Sequence, residues 1–186
     1  MKEQVQALEA ALNNTTRLIA GIGDDQWDDP TPCDKWNVLE LVQHTVGVMA
    51  NFAGGAAGTG AVGDPMEFDL GEDPAETCGA VVADCVTNWT ERGELESMVS
   101  LGENEFPGAV GLNINMLDAY VHGWDIAEAT GQDAQLDTGI CAGLLDFAQQ
   151  IVPATPREGD NFHAVVDPGA DAPVTDQLLG YLGRQP

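Results

Sequence analysis

Positive charge is nearly absent from this chain. Six Lys and Arg stand against 31 Asp and Glu, a formal net charge of -25 over 186 residues. A surface of that sign repels phosphate backbones and anionic lipid heads, which excludes nucleic acid and acidic membranes as partners. The acids are scattered rather than blocked, so their plain role is a solvated coat that keeps the protein soluble, in keeping with a salty cytoplasm. Long apolar runs are missing too: no stretch approaches the roughly 18 consecutive apolar residues of a membrane span. Met1-Lys2-Glu3-Gln4 is not followed by an apolar signal core, and a cytoplasmic location is expected. The four cysteines, Cys33, Cys78, Cys85 and Cys141, form no Cys-x-x-Cys pair and show no disulfide or zinc-finger spacing. They read as structural, with Cys78 and Cys85 packed as small hydrophobes on one helix. Phosphate-loop chemistry is excluded, because the Gly cluster at 54–63 lacks a lysine and a preceding strand, and no Gly-x-Ser-x-Gly elbow exists.

What is present suffices for a core. Apolar residues make up 44% of the chain, and the length suits a single domain over residues 1–186. Val5, Leu8, Leu12, Thr15, Ile19 and Ile22 share one face of a first helix over residues 3–22, stopped by Gly21 and Gly23. Two prolines make Asp28–Cys33 a turn. Asn37 followed by Glu40 is a capping-box pattern opening a second helix that runs to about Phe52. Gly54 to Glu72 has no helical period and reads as a long flexible loop. Asp73-Pro74-Ala75-Glu76 starts a third helix, with Cys78, Val81, Val82, Cys85, Val86 and Trp89 expected inside. Residues 94–110, broken by Gly102, Pro107 and Gly108, are expected to be irregular. A fourth helix spans about 111–129 and closes at Gly131. Asp137 caps a fifth helix that Pro153 ends. The tail from Arg157 is expected to hold a short strand, Phe162 to Val166, and a helical piece around Leu178-Leu179. Four long helices with loop connections predict an antiparallel bundle with a fifth helix packed outside.

Histidine is also scarce, at three residues, and two of them fall on amphipathic helices. On the fourth helix Asp118, His122 and Asp125 lie at i, i+4 and i+7 and form one stripe. His44 borders the apolar stripe of the second helix and, taken alone, reads first as a satisfied core histidine. Two such helices packed together bring two imidazoles and a carboxylate to one point, the composition of a divalent metal site with an open position. Asp118 and His122 are spaced to chelate one ion, and Asp125 is either a third ligand or the acceptor of an imidazole N–H. No Lys or Arg occurs between Arg92 and Arg157, so for a buried carboxylate a metal ion is the economical counter-charge. The competing reading, with Asp118 and Asp125 facing water, is left open by spacing alone. Cys33 has no histidine near it in sequence; Asp34 and Trp36 beside it could line a cleft, but a structural turn is the expected role. His163 is expected at the surface.

The segments TPCDKWNVLELVQHTV and DAYVHGWDIAEATG, with the closing LLGYLGRQP, resemble actinobacterial metal-binding proteins related to mycothiol-dependent maleylpyruvate isomerase, within the DinB-like superfamily. The resemblance implies an all-α, DinB-like antiparallel four-helix bundle of up-down-down-up course, with an additional helix and a short C-terminal tail. The Gly54–Glu72 segment would supply the long crossover. It also implies a divalent metal held by one histidine of the second helix and an acid-x-x-x-His pair on the fourth, here His44, Asp118 and His122. The isomerase has Glu at the acidic position and many DinB-like relatives have His. Aspartate is one methylene shorter, which leaves open whether Asp118 or Asp125 reaches the ion.

By this resemblance the protein is a thiol-handling enzyme. The ion, zinc first and otherwise nickel, iron or cobalt, would activate a low-molecular-weight thiol, mycothiol as co-substrate. The thiolate would then attack a small electrophile in transfer or isomerisation. Asp125 would orient His122 or bind the ion, and Trp124 would pack behind the site and the cofactor. The isomerase has a further C-terminal domain contributing to its active site. A chain ending at Pro186 is expected to be too short for it, so a general thiol transferase fits better than maleylpyruvate isomerase itself. The rival reading is a non-catalytic metal-binding or dimerising module, a homodimer whose acidic surface serves solubility.

Overall fold

A computed structural model describes residues 1–101, 104–152 and 162–186. They divide into two compact units, Met1–Ala134 and Gln135–Pro186.

In the first unit, four helices carry the core: α1 (Lys2–Ala20), α2 (Val38–Ala57), α3 (Pro74–Arg92) and α4 (Gly108–Thr130). Local sequence sets their ends. Asn37 Oδ1 accepts from Glu40 N at 2.9 Å while Glu40 Oε2 accepts from Asn37 N at 3.0 Å, so the expected capping box opens α2. Asp73 accepts from the amides of Ala75 and Glu76 ahead of Pro74, and Gly131 closes α4 in the left-handed region. Leu8, Leu12, Leu41, Met49, Trp89 and Leu112 are wholly buried between these helices.

Helices α1 and α2 each pack on both α3 and α4. Hydrogen bonds fix the directions. Thr15 bonds the Ala119 carbonyl and Gln132, just beyond α4, bonds that of Leu18, so α1 and α4 run the same way. Asn88 bonds the Ala53 carbonyl and Arg92 that of Ala56, so α2 and α3 also run together. His44 lies beside Asp118 near one end, and Phe52 beside Gly111 near the other, so α2 and α4 are antiparallel. This is the expected up-down-down-up course. The connection from α2 to α3 must retrace a helix of about 30 Å, and the segment following Ala57 does so.

That segment departs from its sequence reading in two ways. Gly54 to Ala57 continue α2, which ends at Gly58 with φ 78°. Small residues carry no hydrophobic period, yet Ala53 through Ala56 are buried because neighbouring backbone comes close. A Cβ on Gly54 would meet Gly60 O at 2.1 Å, and one on Gly55 would meet Ser100 O at 3.2 Å. Beyond Gly58 the chain is pinned back onto α2: Asn51 accepts from the amides of Val62 and Gly63 and donates to the Gly63 carbonyl.

The irregular connection expected over 94–110 is instead a hairpin. β1 (Met98–Leu101) pairs antiparallel with β2 (Asn104–Pro107), Val99 opposite Phe106. Val99 is 1% exposed, covering the glycine end of α2 and Gly111 of α4. Flanking Gly and Pro concealed strands this short; Gly102 itself lies outside the described residues.

In the second unit, α5 (Thr138–Ile151), capped by Asp137, packs on α6 (Val174–Tyr181). The expected strand at Phe162–Val166 does not form. Among the described residues of this unit no strand lies ready to pair with it, and Val166 N instead donates to Gly180 O of α6 at 2.8 Å. His163 is exposed, as expected. Pro153 and Arg157 lie outside the described residues.

Candidate metal centre

The antiparallel packing of α2 and α4 brings His44 to Asp118 and His122. His44 Nε2 is 3.6 Å from Asp118 Oδ1, and His122 Nε2 is 3.5 Å from the same oxygen. One donor atom from each residue fits within 4.8 Å of the others. With metal–nitrogen and metal–oxygen bonds of about 2.0–2.2 Å, the edges of a tetrahedral site are about 3.3–3.6 Å. The two imidazole–carboxylate separations are therefore close to those of a ligand set. Asp118 Oδ2 is buried with no hydrogen-bond partner among the described residues. An orphaned buried carboxylate oxygen is costly unless a cation satisfies it. By donor type and spacing, these three residues fit a divalent metal.

Asp125 stands behind this set. Its side chain is 0% exposed, and its Oδ2 is 3.0 Å from His122 Nδ1. With the proton on Nδ1, His122 donates to Asp125 and turns the Nε2 lone pair toward His44 and Asp118. A carboxylate on the far nitrogen fixes both ring orientation and tautomer, as it does for metal-bound histidines. Asp118 and Asp125, equivalent by spacing, thus face opposite nitrogens of one ring.

Cys33 and Trp36 complete the surroundings. Cys33 Sγ donates to Asp125 Oδ2 at 3.2 Å and lies 3.8 Å from His122 Nδ1. The Trp36 ring centroid is 4.5 Å from that of His44 and 6.0 Å from that of His122. Both residues sit on a turn held by its own hydrogen bonds: Thr31 Oγ1 donates to the Trp36 carbonyl at 2.7 Å, and Val38 N donates to the Asp29 carbonyl at 3.0 Å. The sequence alone points to Trp36 beside a cleft and to Cys33 in a structural turn. Cys33 is in that turn, but its thiol meets a histidine 89 positions away. The usable signal was the rigid Pro-Thr-Pro-Cys turn running straight into the helix of His44. Trp124 is buried on α4, two residues past His122 and so on another face of the helix; the ring lying tilted beside the imidazoles is that of Trp36.

The electrostatics follow from this packing. Burial opposes charge on His122, but the Asp118 charge, the Asp125 hydrogen bond, the Cys33 thiol and the Asp125 charge together outweigh it and push its pKa up to about 10. Burial pushes the Cys85 thiol up to about 12 and raises that of Cys78, which keeps both as inert core groups.

Comparison with known proteins bears on family and fold. The family model of the mycothiol maleylpyruvate isomerase N-terminal domain matches residues 8–127, a span holding every residue of the centre. Two uncharacterized proteins of Mycobacterium tuberculosis, Rv0738 of strain ATCC 25618 / H37Rv and MT0763 of strain CDC 1551 / Oshkosh, are each 30% identical over 189 aligned positions, 98% of this chain and 98% of each relative. The crystal structure of a histidine-to-alanine mutant of the mycothiol-dependent maleylpyruvate isomerase superposes with a TM-score of 0.53 at 12% identity, over 76% of this chain. The match spans 66% of that structure's chain. At such identity the likeness speaks for the fold, which is mostly helical and DinB-like.

Proposed function

The chain belongs to the mycothiol maleylpyruvate isomerase N-terminal domain family, and from that premise we propose that it holds a divalent metal at His44, Asp118 and His122 and uses it to activate a low-molecular-weight thiol of the mycothiol class. The observation that carries this reading is the meeting of two imidazole Nε2 atoms at one carboxylate whose second oxygen is buried without a partner among the described residues. Two nitrogens and one oxygen suit zinc first, with nickel, iron and cobalt as alternatives. A divalent cation bound there supplies a Lewis acid that lowers the pKa of a coordinated thiol toward neutrality.

The chain's own residues do the rest. Asp118 offsets one of two positive charges, so the set favours an anionic fourth ligand such as a thiolate over a neutral one. Asp125 holds the proton of His122 on Nδ1, so that Nε2 is the nitrogen offered to the ion. Trp36 walls the centre with an apolar face and limits water there, which strengthens charge interactions inside. A thiol activated there would add to a small electrophile, and either it would be expelled again in isomerisation or the electrophile's own leaving group would depart in transfer.

Elemental analysis and a thiol titration of the cobalt-substituted protein test this. We expect about one equivalent of metal, a change in the cobalt spectrum on adding mycothiol, and loss of metal in His44→Ala and His122→Ala. Metal bound without any response to thiol would leave a non-catalytic metal-binding module. Full metal retention in His122→Ala would remove the centre altogether.

A further inference from the structure

The turn that carries Cys33 is closed by its backbone: Cys33 N takes the Thr31 hydroxyl as acceptor at 3.1 Å, and the Cys33 carbonyl accepts from Trp36 N at 2.8 Å. The thiol is therefore not needed to make the turn. It points away from these bonds into the centre, where it donates to Asp125 Oδ2 at 3.2 Å. The same oxygen faces His122 Nδ1 at 3.0 Å. Of the four cysteines it is the one that is not fully buried in the core.

We propose that Cys33 is a positioning residue for the metal centre: its thiol fixes the Asp125 carboxylate, and Asp125 in turn aims His122 Nε2 at His44 and Asp118. This rests on the reading of a cation held by His44, Asp118 and His122. Two donors on one carboxylate oxygen restrict its rotation more than one does, and the restriction passes through the Nδ1–H bond to the ring. Cys33, His122 and Asp125 also form a compact donor group of their own. The 3.0 Å contact within it has the length of an ordinary N–H···O hydrogen bond. A cation there would displace that proton and release the tautomer that the first set needs.

Cys33→Ala and Cys33→Ser in the full chain test the proposal. Outer partners of metal-bound histidines typically contribute tenfold or more to affinity, so zinc affinity by chelator competition should fall about tenfold in Cys33→Ala and stay within about threefold of the parent in Cys33→Ser, whose hydroxyl still donates. In chelator-treated protein, nitrogen-15 NMR should show slowed exchange of the His122 Nδ1 proton in the parent and Cys33→Ser, and faster exchange in Cys33→Ala. Thermal midpoints of the three chelator-treated proteins should agree, because the backbone of the turn is intact. Equal zinc affinity and equal ring exchange in Cys33→Ala would overturn the proposal. So would a sulfur-to-cobalt charge-transfer band that disappears with Cys33, which would make it a ligand. A parent protein that binds no zinc would refute the metal-site reading, and the ring-exchange measurement alone would then decide the role of Cys33.

Discussion

At the scale of single residues, His122 would tie protonation to the proposed metal. Proton and cation compete for Nε2, and the surrounding Asp118, Asp125 and Cys33 push the imidazole pKa to about 10 despite its burial. Uptake of the proposed metal near neutral pH should therefore release a proton, and apparent zinc affinity should rise about tenfold per pH unit between pH 7 and 9; isothermal titration in buffers of different ionisation enthalpy counts the proton. A pH-independent affinity would show that His122 is already neutral. The sign for stability is the reverse. A histidine whose folded pKa lies above its unfolded value of about 6.5 stabilises fully below that pH. In chelator-treated protein its contribution is lost as pH rises toward 10. Spacing could show that Asp118, His122 and Asp125 share a stripe. It could not show which carboxylate faces which ring nitrogen, because α2 and its preceding turn decide that. Cys33 was illegible for the same reason: its partners are 89 and 92 positions away.

At the scale of elements, sequence revealed what local chemistry determines. The Asn37–Glu40 box, Asp73 ahead of Pro74 and Gly131 each mark a helix end through hydrogen bonds within a few residues. The glycine-rich end of α2 was hidden, since its helicity comes from close packing against the Gly60 carbonyl and the β1 strand, and not from an apolar stripe. Gly54→Ala tests this directly. Its Cβ would stand 2.1 Å from Gly60 O, a clash with backbone that cannot swing aside. Overpacking of this kind costs about 1–3 kcal/mol, readable in urea denaturation followed by helical circular dichroism. Gly143, exposed in the middle of α5, has nothing within 4 Å of the point where a methyl group would stand, and Gly143→Ala should instead stabilise by about 0.5–1 kcal/mol. A neutral Gly54→Ala would mean that the crossover does not press on α2 as described.

At the scale of the whole molecule, charge is the dominant unabsorbed feature. The centre uses two carboxylates directly, and helix caps such as Asp73 and Asp137 occupy a few more. With 31 acids against six bases, most remain on the surface without a basic counterpart. Like charges at that excess repel one another in the compact state and relax when the chain expands. Screening shortens their reach from about 10 Å at 0.1 M salt to about 3 Å at 1 M. The thermal midpoint should therefore rise as sodium chloride is added, by about 2–4 °C for each kcal/mol of repulsion removed in a chain of this size. Potassium chloride should act equally at matched ionic strength, whereas sucrose, which carries no charge, should not reproduce the steep rise at low concentration. A midpoint that is flat or falls between 0.05 and 1 M salt, measured on protein with its metal content held constant, would show that the acidic surface imposes no self-repulsion on the fold.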